Sequence, residues 1–300
     1  MLPLFKTAQR SRAFGLTTVS SSLLVLLANT PANALTLVRN FVGVGQSFGF
    51  STWQGGTAGT TNVGGGNLLN IFNAAADAWE RAILDDHTVT LNFGWGDTGS
   101  ALGLHGAMRS NPATERIVES AIIFDNRVYS WFLDATPETA EEYGTFSESE
   151  LDLGGGEINV GRVYRNPLTP TAYRVDLFSV ALHEIGHSLG LSFGNGYYHD
   201  IKDEGGITVT APRPYAGTTI PLWSNPHTNL ANSTMYPFVS SGQRKLLSEA
   251  DILANAQLSH FTQLNLDPQN LPEPVPETGA AVTIAGGVLG WGYWMRRRRK

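Results

Sequence analysis

Two histidines four residues apart constrain this chain more than any other feature, because their surroundings predict a single helix. His183 and His187 flank Glu184 in the stretch VALHEIGHSLGL. Apolar residues recur around them at helical spacing: Val175, Phe178, Leu182, Ile185 and Leu189. Asp176 and Gly190 are residue types that begin and end helices. A helix places positions i and i+4 on one face, so both imidazoles can reach the same point.

This arrangement suits a hydrolytic zinc ion. Neutral imidazole binds Zn²⁺, and three protein ligands leave a fourth position for water, whose pKa the metal lowers to about 7. Glu184 would take a proton from that water as it attacks an amide carbonyl and pass the proton to the leaving amine. HExxH is the zincin motif, so we predict His183 and His187 as ligands of one catalytic Zn²⁺ and Glu184 as the general base. The alternative is an ordinary amphipathic core helix whose histidines are hydrogen-bonded.

The third metal ligand does not follow from this motif. Metzincins such as the matrix metalloproteases have the pattern HExxHxxGxxH, and the chain matches it through Gly190 but has Phe193 at the last ligand position. Phenylalanine cannot bind zinc. The candidates for the missing ligand are His199, Asp200 and His227.

A segment downstream resembles the Met-turn, the tight turn that lies below the metal in metzincins. It has the sequence STMYP at residues 233–237 and is followed by residues 247–252, which resemble the closing helix of that family. Leishmanolysin-like metzincins bring their third histidine in shortly before this turn, and His227 stands eight residues before Met235. The resemblance therefore favours His227 over His199, with Asp200 behind both. It also implies that Met235 supports the histidines without binding zinc, although Met235 could equally be a core methionine.

The rest of the central region predicts a mixture of helices and strands. Apolar periodicity predicts a helix over residues 68–84, and alternation predicts a half-buried strand over 88–95. A helix that leads into a strand ahead of the HExxH helix resembles the N-terminal half of a metzincin domain. The resemblance implies an α/β (α+β) zincin fold with a twisted sheet, a long active-site helix and a Met-turn. Residues 158–163 resemble an edge strand, which could pair with an extended substrate.

The N-terminal segment, residues 1–34, has the features of a signal peptide. Basic residues precede an apolar run at 23–27, and the small residues ANA at 32–34 suit cleavage. An uncleaved membrane anchor is the alternative, but the run is short and ends at Pro31. We therefore expect cleavage by signal peptidase and export of the domain formed by residues 35–271.

The C-terminal segment, residues 272–300, has three parts. PEP at 272–274 precedes an apolar stretch at 279–295, long enough to cross a membrane, and the chain ends in RRRRK. This order resembles the PEP-CTERM sorting signal of Gram-negative and cyanobacterial surface proteins, which an exosortase cuts. The resemblance implies transient membrane residence, followed by secretion or attachment to the cell surface or outer envelope. A permanent anchor is the alternative.

Charge and composition exclude several classes of function. Residues 35–271 contain 12 Lys and Arg against 24 Asp and Glu, a net charge of −12. A nucleic-acid ligand is therefore not expected, because phosphate binding needs a basic surface. The chain has no cysteine, which excludes disulfides and thiol ligands. The acidic residues 136–152 could hold a structural Ca²⁺, but they lack EF-hand spacing, and a solvated surface is favoured.

These observations together predict a secreted or surface-bound zinc metalloendopeptidase that acts on a protein or peptide substrate. Two alternatives stay open. A non-catalytic surface or matrix protein could keep the same fold. A zinc hydrolase could act on a non-peptide bond, since HExxH specifies an activated water and not its target.

Overall fold

A computed structural model of the protein describes residues 34–269. Residues 1–33 of the predicted signal peptide and the whole predicted C-terminal tail, 272–300, lie outside the described residues, as does its predicted transmembrane segment 279–295. Within the described range, no helix has the length and apolar character needed to cross a membrane. The elements are a mixture of helices and strands, which confirms the predicted mixed α and β composition.

The main sheet contains four strands. In chain order these are β1 (Leu35–Phe41), β2 (His87–Gly96), β3 (Gly103–Ser110) and β4 (Ile117–Asp125), and their order in the sheet is β1-β2-β4-β3. β1, β2 and β4 are parallel, whereas β3 runs antiparallel to β4 at one edge. The predicted strand at 88–95 is confirmed as β2, one residue longer at each end.

Two helices pack behind this sheet. The predicted helix at 68–84 is α1 (Leu68–Ala82), and the HExxH helix is α2 (Leu177–Leu189). Phe72 of α1 stacks on Phe93 of β2 with ring centroids 3.7 Å apart. The indole Nε1 of Trp79 donates a hydrogen bond of 2.9 Å to the carbonyl of Leu182. α1 therefore bridges the sheet and the helix that carries the two histidines.

The ends of α2 are fixed by the residues that the sequence indicated. Asp176 is the N-cap, and its carboxylate accepts hydrogen bonds from Ser179 N at 3.0 Å and Ser179 Oγ at 2.6 Å. Gly190 is the C-cap. Short strands β5 (Trp131–Phe132) and β8 (Val175–Asp176) pair in parallel just before the helix.

A second sheet lies beside α2 and corrects one expectation. Its strands are β6 (Tyr143–Asp152), β7 (Glu157–Pro167) and β11 (Arg244–Leu246), in the order β11-β7-β6. The predicted edge strand at 158–163 belongs to β7, which is central and not an edge, because β11 pairs with residues 162–164 from the side opposite β6. Part of the acidic stretch 136–152 forms β6, which is mostly exposed. It contributes to no group of three potential metal ligands among the described residues, so the calcium prediction gains no support.

The remaining elements follow α2. They are α3 (Gly196–Ile201), the antiparallel pair β9 (Gly206–Thr208) and β10 (Thr219–Pro221), and α4 (Glu249–Leu258). α4 begins at the predicted closing helix, where Ser248 and Asp251 form a capping box.

The chain between β1 and α1 covers the outer face of the main sheet. Val42 and Phe48 pack against Ala121 and Ile123 of β4, whereas Ile122 of the same strand joins the core on the helix side. This division follows from the alternation of side chains along a strand. Val42 and Phe48 consequently lie on the opposite side of the sheet from α2, whereas residues 63–66 pair with the chain around β5, on the helix side.

Candidate metal centre

Three histidines converge in one cleft. α2 presents His183 and His187, and His227 comes from a hairpin closed by a bridge between Leu222 and Thr228. The Nε2 atom of His183 lies 3.0 Å from that of His187 and 3.1 Å from that of His227. The three ligand atoms all lie within 4.8 Å of one another, so the group could hold a metal ion.

The two other candidates for the third ligand lie elsewhere. His199 and Asp200 are exposed residues of α3, and neither belongs to the histidine group. Phe193, at the position where HExxHxxGxxH would place a ligand, is 58% exposed and lines the cleft as an apolar wall.

The hydrogen bonds of the three rings determine where their protons lie. Each Nδ1 faces an oxygen acceptor: Thr234 O at 2.8 Å for His183, Leu191 O at 2.5 Å for His187 and Asn225 Oδ1 at 2.7 Å for His227. A carbonyl oxygen can only accept, so each Nδ1 carries the proton.

The rings are also neutral, because burial disfavours their charged form. Burial lowers the pKa of His187 to about 4 and that of His227 to about 3, and it lowers the pKa of His183 well below the ordinary value. A neutral ring protonated at Nδ1 has a bare lone pair at Nε2. The lone pair of His183 thus faces that of His187 at 3.0 Å and that of His227 at 3.1 Å, with no proton between them.

This donor set fits a metal cation. Lone pairs at such a separation repel one another unless a positive charge lies among them. With zinc–nitrogen distances of about 2.0–2.1 Å and tetrahedral angles, two ligand nitrogens are about 3.3 Å apart, within a few tenths of an ångström of the observed spacing. Three neutral imidazoles with a fourth position open are typical of catalytic zinc sites.

Glu184 lies beside the histidines in a largely buried position at the cleft. The residue is 5% exposed, and its carboxylate accepts no hydrogen bond from any residue between 34 and 269. Burial raises its pKa to about 8. A Cβ atom at Gly103 would lie 2.4 Å from Glu184 Oε1, so the backbone of β3 packs directly against the carboxylate. The carboxylate is therefore held in place by packing and not by hydrogen bonds.

A fourth histidine near the centre was missed by the sequence reasoning. His105 of β3 has its ring 5.7 Å from that of His187, and its Nε2 lies 3.1 Å from Ser120 Oγ. Burial lowers the pKa of His105 well below its usual value. Alternate residues of β3 point toward α2, so this position could be recognised only after 103–110 had been identified as a strand.

Met235 lies directly beneath the histidine helix. Its side chain is fully buried, and a Cβ atom at Gly186 would lie 2.3 Å from Met235 Sδ. Asp251 fixes the turn around it by accepting hydrogen bonds from Thr234 N at 3.1 Å and Met235 N at 2.9 Å. Because Thr234 O in turn accepts from the His183 ring, the first turn of α4 orients a candidate ligand through the turn that contains Met235.

The next turn of α4 orients the other histidine of α2. Asn255 Oδ1 accepts a hydrogen bond of 3.1 Å from Leu191 N, and Leu191 O accepts from His187 Nδ1. Asp251 and Asn255 stand four residues apart, on one face of α4. The sequence pattern at 247–252 indicated a closing helix but not that Asp251 or Asn255 supports a histidine.

A buried lysine fixes both ends of the turn that contains Met235. Lys245 of β11 donates from Nζ to the carbonyls of Ala231 at 2.9 Å, Ser233 at 3.0 Å and Phe238 at 2.9 Å. Three acceptors match the three N–H groups of an ammonium ion. The lysine thereby holds one wall of the cleft in a defined shape.

The cleft has a volume of about 980 Å³. α2 forms its floor, residues 100–107 form one wall, and residues 223–227 with 234–241 form the other. Aromatic side chains line it: Tyr129, Phe193, Trp223, Tyr236 and Phe238. No residue of the segment 35–67 lines it.

The described part of the chain thus brings His183, His187, His227 and Glu184 together, with Met235 below them. Asp251, Asn255 and His105 surround this group without having been predicted. No protein-family model matches the chain, and neither a curated protein nor a solved structure matches it.

Proposed function

We propose that the protein is a zinc-dependent endopeptidase of metzincin type that acts outside the cytoplasm. The observation that carries the proposal is the convergence of three unprotonated Nε2 atoms beside the buried carboxylate of Glu184. The Met-turn resemblance supports the metzincin type, because Met235 packs beneath the histidines as the resemblance implies.

His183, His187 and His227 would hold the zinc ion, and Met235 would not bind it. When bound, zinc would supply Lewis acidity and lower the pKa of a water in the open position to about 7. The hydrogen bonds from each Nδ1 would keep the three rings in the metal-binding tautomer.

Glu184 would move the proton. A general base is most effective when its pKa lies near the working pH, and burial alone already raises the Glu184 pKa to about 8. A cation in the neighbouring centre would lower this pKa again and leave the carboxylate ionised at neutral pH. One carboxylate oxygen would then accept a proton from the attacking water and donate it to the leaving amine nitrogen.

The edge strand β3 lies beside the cleft and favours an extended peptide as substrate. β3 pairs only with β4, and residues 103–109 make no other backbone hydrogen bond within the described residues. The strand runs along the cleft beside Glu184, so a peptide could add to its free edge by β-augmentation. Main-chain pairing of this kind gives affinity with little sequence demand, and a small ester would not use it.

Export is part of the proposal and rests on the sequence patterns at 1–34 and 272–300. Signal peptidase and an exosortase-type enzyme would be the processing partners, and the tail would contact the membrane transiently. Residue 35, the first after the predicted cleavage, begins β1, so the described domain would keep all of its strands after processing.

The test combines metal analysis with cleavage of casein. The wild type should contain stoichiometric zinc and cleave casein. Glu184→Gln should keep the zinc and lose activity about 10²- to 10⁴-fold, the contribution of a general base. Glu204→Gln, an exposed glutamate away from the cleft, is the matched control and should behave as the wild type.

Other results would reject the proposal. A wild type without zinc would point to a non-catalytic surface protein. Zinc-dependent cleavage of small esters without cleavage of casein would point to a hydrolase of another bond, since the zincin motif does not choose the bond.

A further inference from the structure

The third histidine is oriented differently from the other two. His183 and His187 donate from Nδ1 to main-chain carbonyls, which no substitution removes. His227 donates instead to a side chain, Asn225 Oδ1, at 2.7 Å. Of the three acceptors, only this one is a side-chain atom, so only this one can be removed by a substitution.

The local turn explains how Asn225 holds His227. His227 N donates a hydrogen bond of 2.6 Å to Asn225 O, which closes a three-residue turn with Pro226 at its centre. An inverse γ-turn needs a central φ near −75°, and proline is fixed at about −65°. Asn225 thus accepts both the backbone N–H and the ring N–H of the same histidine.

His227 depends more on its hydrogen bond to Asn225 than the other two histidines depend on theirs. His183 and His187 stand on a capped helix packed against α1, whereas His227 lies on a hairpin. No other described residue accepts a hydrogen bond from its Nδ1. Without Asn225 the ring could rotate or carry its proton on Nε2, where the metal would bind.

We propose that Asn225 is a positioning residue that sets the affinity of the centre for its metal by fixing the tautomer and orientation of His227. The inference rests on the metal site of the proposed function. Partners that fix ligand rings typically change metal affinity 10- to 100-fold when they are removed.

The experiment measures Zn²⁺ affinity of the metal-free protein by competition with a colorimetric chelator. Asn225→Leu removes the acceptor at similar size and should weaken binding about 10- to 100-fold. Asn225→Asp keeps an acceptor and makes it charged, so binding should be as tight as in the wild type or tighter. Asn229→Leu is the control, because Asn229 is an exposed asparagine at the end of the same hairpin.

Each outcome decides the inference. Wild-type affinity in Asn225→Leu, with a wild type that binds zinc, overturns the role of Asn225 alone. A wild type that binds no zinc overturns the proposed function and this inference with it. If Asn225→Leu does not fold, Asn225→Asp decides: an aspartate can accept but cannot donate, so weaker binding would show that the amide donates to His227 and would overturn the inference.

Discussion

Replacing Arg244 tests how α2, the helix that carries His183 and His187, is anchored. The Nη2 atom of Arg244 lies 2.6 Å from Asp134 and 2.8 Å from Asp176, and all three side chains are 1% exposed. Asp176 also caps α2. Arg244→Met keeps most of the apolar volume but leaves two carboxylates buried without their cation.

The expected loss of stability is large. Removing one partner of a buried ion pair typically costs about 3–5 kcal/mol, because the remaining charge is left uncompensated. A domain of this size loses about 2–4 °C in Tm per kcal/mol, so Tm should fall by about 6–20 °C. Replacing all three charges, in Arg244→Met with Asp134→Leu and Asp176→Ser, should recover much of this loss, since serine still caps the helix.

The assay is thermal unfolding of the metal-free protein followed by circular dichroism. Arg127→Met is the matched control, because the Arg127 pair with Asp97 has side chains 68% and 51% exposed. Such surface pairs contribute about 0–1 kcal/mol, so the control should stay close to the wild type. A Tm for Arg244→Met within about 3 °C of the control would refute the reasoning, because it would put the cost near 1 kcal/mol.

Three further predictions concern the centre itself. Gly103→Ala should lower casein cleavage about 10²-fold or more and leave the zinc content unchanged, because the alanine Cβ would lie 2.4 Å from Glu184 Oε1 and displace the carboxylate. Unchanged cleavage would show that the carboxylate can move freely. In the folded protein the pKa of His187 is about 4 and that of His227 about 3, whereas a histidine of the unfolded chain has a pKa of about 6.5. Between these pH values the unfolded chain therefore binds more protons than the folded protein. The stability of the metal-free protein should therefore be complete above pH 6.5 and fall as pH drops toward 4, which Tm measured against pH would show. Adding a chelator should lower the Tm of the wild type but not that of His227→Ala. With free zinc at about 1,000 times Kd, the bound metal adds about 4 kcal/mol to the free energy of unfolding, and the chelator removes this contribution.

The elements that the sequence predicted well are those with strong local signals. α1 and β2 follow from helical periodicity and strand alternation, and each lies within two residues of its prediction. α2 has Asp176 and Gly190 at its ends, because caps act within one turn of the helix. These features depend on neighbours in the sequence, so the chain itself is enough to reveal them.

The edge of the sheet could not be predicted in the same way. Whether a strand is central depends on its partners, and the partner that covers β7 is β11, about 80 residues later in the chain. The edge strand that lines the cleft is β3, where Gly103 and Gly106 weaken the strand signal. The predicted role of pairing with a substrate therefore moves from residues 158–163 to residues 103–109, and it stays a proposal there.

The position of His227 is determined by the turn at residues 233–237 and not by the turn after Gly190. Thr228, next to His227, donates from its backbone N to Met235 O at 3.0 Å, and its hydroxyl lies 2.7 Å from Ser233 Oγ. Asp251 binds the same turn, which also orients His183. A ligand held this way does not need a fixed distance from the HExxH helix along the chain. The segment with α3, β9 and β10 can therefore separate the two without displacing His227, and Phe193 is free to line the cleft.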